Sequence, residues 1–248
     1  MRCASSAVDR RRFLNTLSIA SLAALAPRGA FAQQLRETAE TTEGPFYPDK
    51  LPLDTDNDLL ILNDGITPAI GEITHLTGRV LTSSGLAVRN AIVEIWQTDA
   101  DGSYVHTGGR QEKKPYDANF QGYGRFLSDA KGQYYFRTIK PVEYTLVGAH
   151  RCPHIHVAVS QNGRRIFTSQ FLINGHPANV GDGVVTRLDP KALQTILVDF
   201  KPLPGSTLGE LTANADVVLG KTYNELQPMS KDSLKGTAKS TSQPRRRG

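Results

Sequence analysis

The segment Arg151-Cys152-Pro153-His154-Ile155-His156-Val157-Ala158-Val159 concentrates more potential chemistry than any other stretch of the chain. In an extended strand, residues two apart share a face, so His154 and His156 would stand side by side about 6.6 Å apart. Ile155, Val157 and Val159 would then turn the other way, into apolar packing. Two neutral imidazoles projecting from one strand face are suited to hold a single metal ion. The pair alone leaves the kind of site open. A cupin-like site would add a glutamate three or four positions later, where Val159 and Ser160 stand. A copper–zinc site would need further His or Asp ligands, for which His106, His150 and His176 could be offered.

Such a placement requires a strand at this point, and the surrounding texture supplies strands. From about Gly71 onward, short runs of β-branched and aromatic residues alternate with turn signals. That is the pattern of an all-β sandwich of mostly antiparallel strands. Residues 73–81 end at Ser83-Ser84-Gly85, and residues 91–97 set Ala91, Val93 and Ile95 on one face before Asp99-Ala100-Asp101-Gly102. Residues 133–139 follow the turn Asp129-Ala130-Lys131-Gly132. Residues 154–160 and 166–173 flank Asn162-Gly163, a strong hairpin signal, and later apolar runs cover 193–200 and 215–219. No long amphipathic helix and no internal repeat is evident. Residues 33–70, rich in Thr, Glu, Pro, Asp and Asn, read as an irregular N-terminal arm that carries Thr42-Glu43-Gly44-Pro45-Phe46-Tyr47-Pro48.

Further motifs lead up to the histidine pair. Trp96-Gln97-Thr98-Asp99-Ala100-Asp101-Gly102-Ser103-Tyr104 is followed by Phe120-x-Gly122-x-Gly124-Arg125. Then come Gly132-x-Tyr134-x-Phe136-x-Thr138-Ile139-Lys140-Pro141 and Tyr144, ahead of Arg151-x-x-His154-x-His156. In order and spacing this series resembles the intradiol ring-cleavage dioxygenases, the family of protocatechuate 3,4-dioxygenase and catechol 1,2-dioxygenase. Gly44-Pro45-Phe46-Tyr47 resembles that family's entry to its catalytic domain, and the likeness runs from about residue 42 to about residue 175.

The resemblance implies a non-haem Fe(3+) ion held by Tyr104, Tyr144, His154 and His156. It implies an aromatic diol and O2 as partners, and a ring opened between the hydroxyl-bearing carbons to a muconate-type diacid. Tyr144, Arg151 and Gln170 fall on catalytic positions, and Tyr47 and Arg151 on substrate-binding ones. The donor types suit the ion, because hard cations prefer anionic oxygen and imidazole also serves iron. A tyrosine ionises near pH 10, and a trivalent ion lowers that value towards phenolate. A fixed guanidinium at Arg151 would oppose the cost of negative charge growing on the ring. Gln170 depends on register. A strict two-residue loop at Asn162-Gly163 pairs His156 with Ser169 and turns Gln170 to the wrong face. A longer loop or a bulge sets Gln170 opposite His154 or His156.

The remaining features bound the setting. At 248 residues and 39% hydrophobic content, the chain can bury one good core. Of its net charge of +5, residues 1–32 hold five arginines against one aspartate, 5 − 1 = +4, which leaves +1 for the rest. Nucleic acid therefore has no basic face to bind. Arg10-Arg11-Arg12, Phe13-Leu14, a mildly apolar stretch and Ala30-Phe31-Ala32 resemble a twin-arginine export signal over 1–32. The apolar run falls short of the about 20 residues that span a bilayer, so stable membrane insertion is not expected once the signal is removed. The expected location is periplasmic or secreted.

Cys3 would leave with that signal, and Cys152 reads as a lone buried thiol. The domain reading is signal 1–32, arm 33–70, catalytic sandwich 71–228 and a disordered basic tail 229–248. The particular catechol is undetermined, and an oligomer is left open. The competing reading is an exported, non-catalytic β-sandwich module, on Gly78-Arg79-Val80, Gly85-Leu86-Ala87 and Ala91-Ile92-Val93. A degenerate dioxygenase relative that binds without turnover belongs beside it.

Overall fold

A computed structural model of the chain describes residues 34–62, 65 and 67–220. The expected export signal and basic tail lie outside the described residues. Twelve strands follow in chain order: β1 Ile73–Thr82, β2 Ile92–Trp96, β3 Tyr123–Leu127, β4 Gln133–Ile139, β5 Tyr144–Leu146 and β6 Ala149–Arg151, then β7 His154–Gln161, β8 Arg164–Ile173, β9 Leu197–Val198, β10 Phe200–Pro202, β11 Leu211–Asn214 and β12 Val217–Leu219. Helical structure among the described residues amounts to α1 Pro190–Leu193 and three 3-10 turns at Thr107–Gly109, Pro177–Gly181 and Val185–Arg187.

The strands form an all-β sandwich with mostly antiparallel pairing. In one sheet β1 is central. It pairs antiparallel with β4 on one side and parallel with β11 and then β12 along the other, with β10 beyond β11. The second sheet runs β3-β2-β7-β8-β9, and β5-β6 is a separate hairpin. The chain between β11 and β12 lies so close to β1 that a Cβ at Gly78 would fall 1.9 Å from the Ala215 carbonyl oxygen. Only glycine fits there.

Period-2 alternation sends one face of each sheet into a shared core. Leu76 and Val80 of β1 and Phe136 of β4 meet Val93 and Ile95 of β2, Ile155, Val157 and Val159 of β7, and Phe171 of β8. Each large apolar side chain buried this way stabilises the fold by about 1.5–3 kcal/mol. The burial that fixes β7 therefore also fixes which way its even-numbered residues face. Residues 34–62 contain no strand, yet they are not peripheral: Leu59 and Leu60 are fully buried in the same core, and Leu59 N–H donates to the Arg137 carbonyl. The sequence reading passes over β3, β5, β6 and β11, whose runs are short and, in β3, interrupted by Gly124.

Candidate metal centre

The second sheet turns a row of functional side chains away from the core. Tyr123, Trp96, His156 and Gln170 are direct cross-strand partners on β3, β2, β7 and β8, with His154 two positions along β7. The register that admits Gln170 comes from a bulge. Gln161 pairs with Arg164 and Ser160 with Arg165 around the Asn162-Gly163 turn, but Val159 pairs with Phe167, so Ile166 is an extra residue. From there on His156 faces Gln170, the bulged alternative of the two registers.

The tyrosines arrive from outside that sheet. Tyr104 follows a turn organised by Asp99, whose Oδ1 accepts from the backbone N–H groups of Asp101 and Ser103 and whose Oδ2 accepts from that of Asp117. Gly102 has φ +83°, and a Cβ there would lie 2.9 Å from Tyr144 Cβ. Glycine at this point therefore lets the turn carrying Tyr104 close against Tyr144. Tyr144 opens the β5-β6 hairpin and pairs directly with Arg151 at its other end.

The four side chains converge. Tyr104 Oη lies 3.0 Å from Tyr144 Oη, 3.3 Å from His154 Nε2 and 3.1 Å from His156 Nε2. Tyr144 Oη is 3.4 Å from His154 Nε2, and the two imidazole Nε2 atoms are 3.2 Å apart. Donors bonded to a first-row ion at about 2.0–2.1 Å stand about 3.3–3.4 Å apart at tetrahedral angles. The spacing seen here is that of donors gathered round one ion, and the residues fit it. His154 Nδ1 donates to the Cys152 carbonyl at 2.6 Å, which leaves the Nε2 lone pair turned inward. The His156 ring stacks on Trp96 with centroids 4.7 Å apart and planes at 9°.

Electrostatics point the same way. Burial, then the Arg151 charge, lowers His154 to about 4. Burial, His154 and Arg151 hold His156 well below its ordinary value. Both imidazoles are thus neutral near pH 7, the form in which a histidine can bind a metal. Burial drives the Tyr104 phenol well above its ordinary value and raises Tyr144, while Arg151 opposes both shifts. Without a cation the site holds neutral phenols; a cation reverses that preference. No group of three or more His, Cys, Asp or Glu suited to a metal occurs among the described residues, so this mixed Tyr/His set is the candidate.

Around the donors, Arg151 donates from Nη2 to Gln170 Oε1 at 2.7 Å, and Gln170 Nε2 donates to the Thr42 carbonyl at 2.9 Å. Tyr47 sits one layer away. Its hydroxyl donates to Glu94 Oε1 at 3.0 Å, its ring packs edge-on to Trp96, and the Arg165 guanidinium lies over it at 4.6 Å. Two acidic residues escaped the sequence reading. Glu94, buried on β2, receives Tyr47, Tyr123 and Arg165, and its signal was visible as a lone charge in the run Ile92-Val93-Glu94-Ile95-Trp96. Asp182 is fully buried against Arg151, and its Gly-Asp-Gly context looks like any surface loop. Cys152 is buried and has no disulfide partner; burial pushes its thiol up to about 12. Outside the cluster lies a groove of about 860 Å³ lined by Tyr144, Gln111, Lys114, Val147 and His150, among others.

Comparison with known proteins adds an independent line. The sequence profile of a family described as Dioxygenase matches residues 42–201. The chain is 39% identical over 144 residues to the protocatechuate 3,4-dioxygenase beta chain of Burkholderia cepacia, covering 55% of this chain and 60% of that protein. It is 32% identical over 154 residues to catechol 1,2-dioxygenase 2 of Acinetobacter lwoffii, covering 56% and 52% respectively. The chain thus spans little more than half the length of these relatives. Its fold is like that of 3-chlorocatechol 1,2-dioxygenase from Rhodococcus opacus 1CP, with a TM-score of 0.57 at 19% identity over 82% of this chain and 78% of the other.

Proposed function

The chain belongs to the intradiol ring-cleavage dioxygenase family, and on that premise we propose that it is an iron-dependent enzyme that opens a catechol-type ring between its two hydroxyl-bearing carbons, using O2. The observation that carries this reading is the meeting of Tyr104, Tyr144, His154 and His156, whose donor atoms stand 3.0–3.4 Å apart in five of their six pairs. These residues would hold Fe(3+), which supplies Lewis-acid and template chemistry when bound. Their relatives' names, protocatechuate and catechol dioxygenases, support an aromatic diol as substrate. The same names do not favour the non-catalytic module.

The protein's own groups have separable tasks. His154 and His156, neutral by burial, bind through lone pairs and have no proton to give near pH 7. Tyr104, fully buried, is the shielded oxygen donor. Tyr144, 7% exposed, is the most open of the four and borders the groove, so a diol would approach past it. Its phenolate is the base nearest that path. Arg151, held by Gln170, keeps a positive charge beside the ring as electron density accumulates there. Tyr47 belongs to the aromatic wall formed with Trp96 and Phe46. The signal-like pattern of residues 1–32 supports export to the periplasm or beyond.

Purified mature protein should be reddish from tyrosinate-to-iron charge transfer, carry iron, and consume O2 with catechol to form a muconate. Colourless, iron-free protein of full stability that takes up no oxygen refutes the reading.

A further inference from the structure

Arg151 must hold one orientation to act on a reacting ring, and a guanidinium on a flexible stem does not do so unaided. Gln170 fixes only its Nη2. The other restraint is a residue to which neither the sequence motifs nor the relatives' names draw attention. Asp182 lies between two 3-10 turns and is fully buried. Its carboxylate accepts four hydrogen bonds. Oδ2 takes Arg151 Nε at 2.8 Å and the Cys152 backbone N–H at 2.9 Å. Oδ1 takes the backbone N–H groups of Val184 and Val185 at 2.8 and 3.2 Å. Residue 152 then passes the restraint on, since its carbonyl accepts from His154 Nδ1.

We propose that Asp182 is a positioning residue for the ring-cleavage site, fixing the Arg151 guanidinium and, through the peptide of Cys152, the tautomer and tilt of the His154 ring. The inference rests on the functional reading above and adds to it a part that the loop 174–189 plays. One buried carboxylate ties that loop to a charge-bearing side chain and to a metal-binding strand. Charge-assisted hydrogen bonds at Nε and Nη2 leave Arg151 a single orientation. Asparagine cannot substitute: whichever way its amide lies, the NH2 group opposes two N–H donors. Glutamate keeps the charge but carries its oxygens one methylene further into a filled site.

The test is a double-mutant cycle on the iron-loaded mature protein with Asp182→Asn, Arg151→Ala and the pair. Iron per chain, the visible absorption band and kcat/KM with catechol are read together. Asp182→Asn should retain iron, shift the visible band through His154, and lower kcat/KM about 10- to 100-fold, the range for residues that orient metal ligands. In the Arg151→Ala background the same change should cost several-fold less in kcat/KM than it does in wild type, because the route through the guanidinium is already gone, while the band shift that reports the route through His154 persists. Losses that multiply in the pair, or a single variant within threefold of wild type, overturn the assignment. If Asp182→Asn does not accumulate folded, Asp182→Glu is read instead: iron is kept and kcat/KM falls at least about tenfold, and wild-type kcat/KM in that variant overturns the proposal. A wild-type protein without colour or oxygen uptake overturns the reading beneath it, and the assignment with it.

Discussion

Raising the pH from about 5.5 to about 7.5 should tighten iron binding by roughly ten-thousandfold, with every released proton coming from tyrosine. The perturbation is pH alone. In the metal-free protein, burial keeps Tyr104 and Tyr144 protonated throughout that range, since both phenols lie above their ordinary values. Both must lose a proton to become anionic donors. His154, lowered to about 4, and His156, lowered well below its ordinary value, are already neutral and release nothing. The bound form therefore carries two fewer protons than the free form, so falling proton concentration favours it. Two protons correspond to about 2.7 kcal/mol, or a hundredfold, per pH unit. The assay is competition with a ferric chelator followed by absorbance, after subtracting the chelator's own pH dependence measured without protein. A slope near one would mean that only one phenol binds as phenolate. A slope approaching four above about pH 5 would mean that the imidazoles are charged in the metal-free site. Either result refutes the reasoning.

Two further outcomes follow from local chemistry. Val147, at the tip of the β5-β6 hairpin, is 88% exposed with φ +51°, a conformation that costs a β-branched residue about 1–2 kcal/mol. Val147→Asn should raise the melting temperature by about 2–4 °C per kcal/mol recovered, and an unchanged or lower melting point in a thermal scan argues against strain there. Iron-stripped protein should lose stability on mild acidification. An unfolded histidine charges below its ordinary value of 6.5, whereas folded His154 stays neutral down to about 4. The unfolded state therefore binds more protons in this window, and stability falls as pH falls through it. Between pH 7 and 5, His154 alone should account for about 2 kcal/mol, with His156 adding in the same direction. Urea unfolding at the two pH values measures it, and equal midpoints and slopes contradict it.

Some of this architecture was legible in the residues. The alternation in His154-Ile155-His156-Val157 stated both the strand and its two faces, because side-chain direction in a strand is set by parity alone. The turn at Asn162-Gly163 was equally plain. Its consequence was not, since the extra residue Ile166 is a bulge that no periodicity announces. Tyr104 and Tyr144 were found through the ordered series of motifs, not through any physical property of their own segments. β3 was missed because Gly124 breaks its alternation, and β5, β6 and β11 because strands of three or four residues carry too few alternations to stand out. Asp182 was missed because its burial depends on what a distant strand brings to it.

The sequence by itself determined the chemical types of the donors, the strand that presents two of them, the all-β class and the turn at residues 99–102. These are local properties, written in residue identity and in a two-residue period. Tertiary structure alone decided that Tyr104, fifty positions before His154, shares its point in space. It also decided that Gln170 faces His156, and that a buried carboxylate from a loop ties Arg151 to the strand of the histidines. Those outcomes depend on the packing of the core between two sheets and on a one-residue slip in pairing, which arise only once distant segments meet.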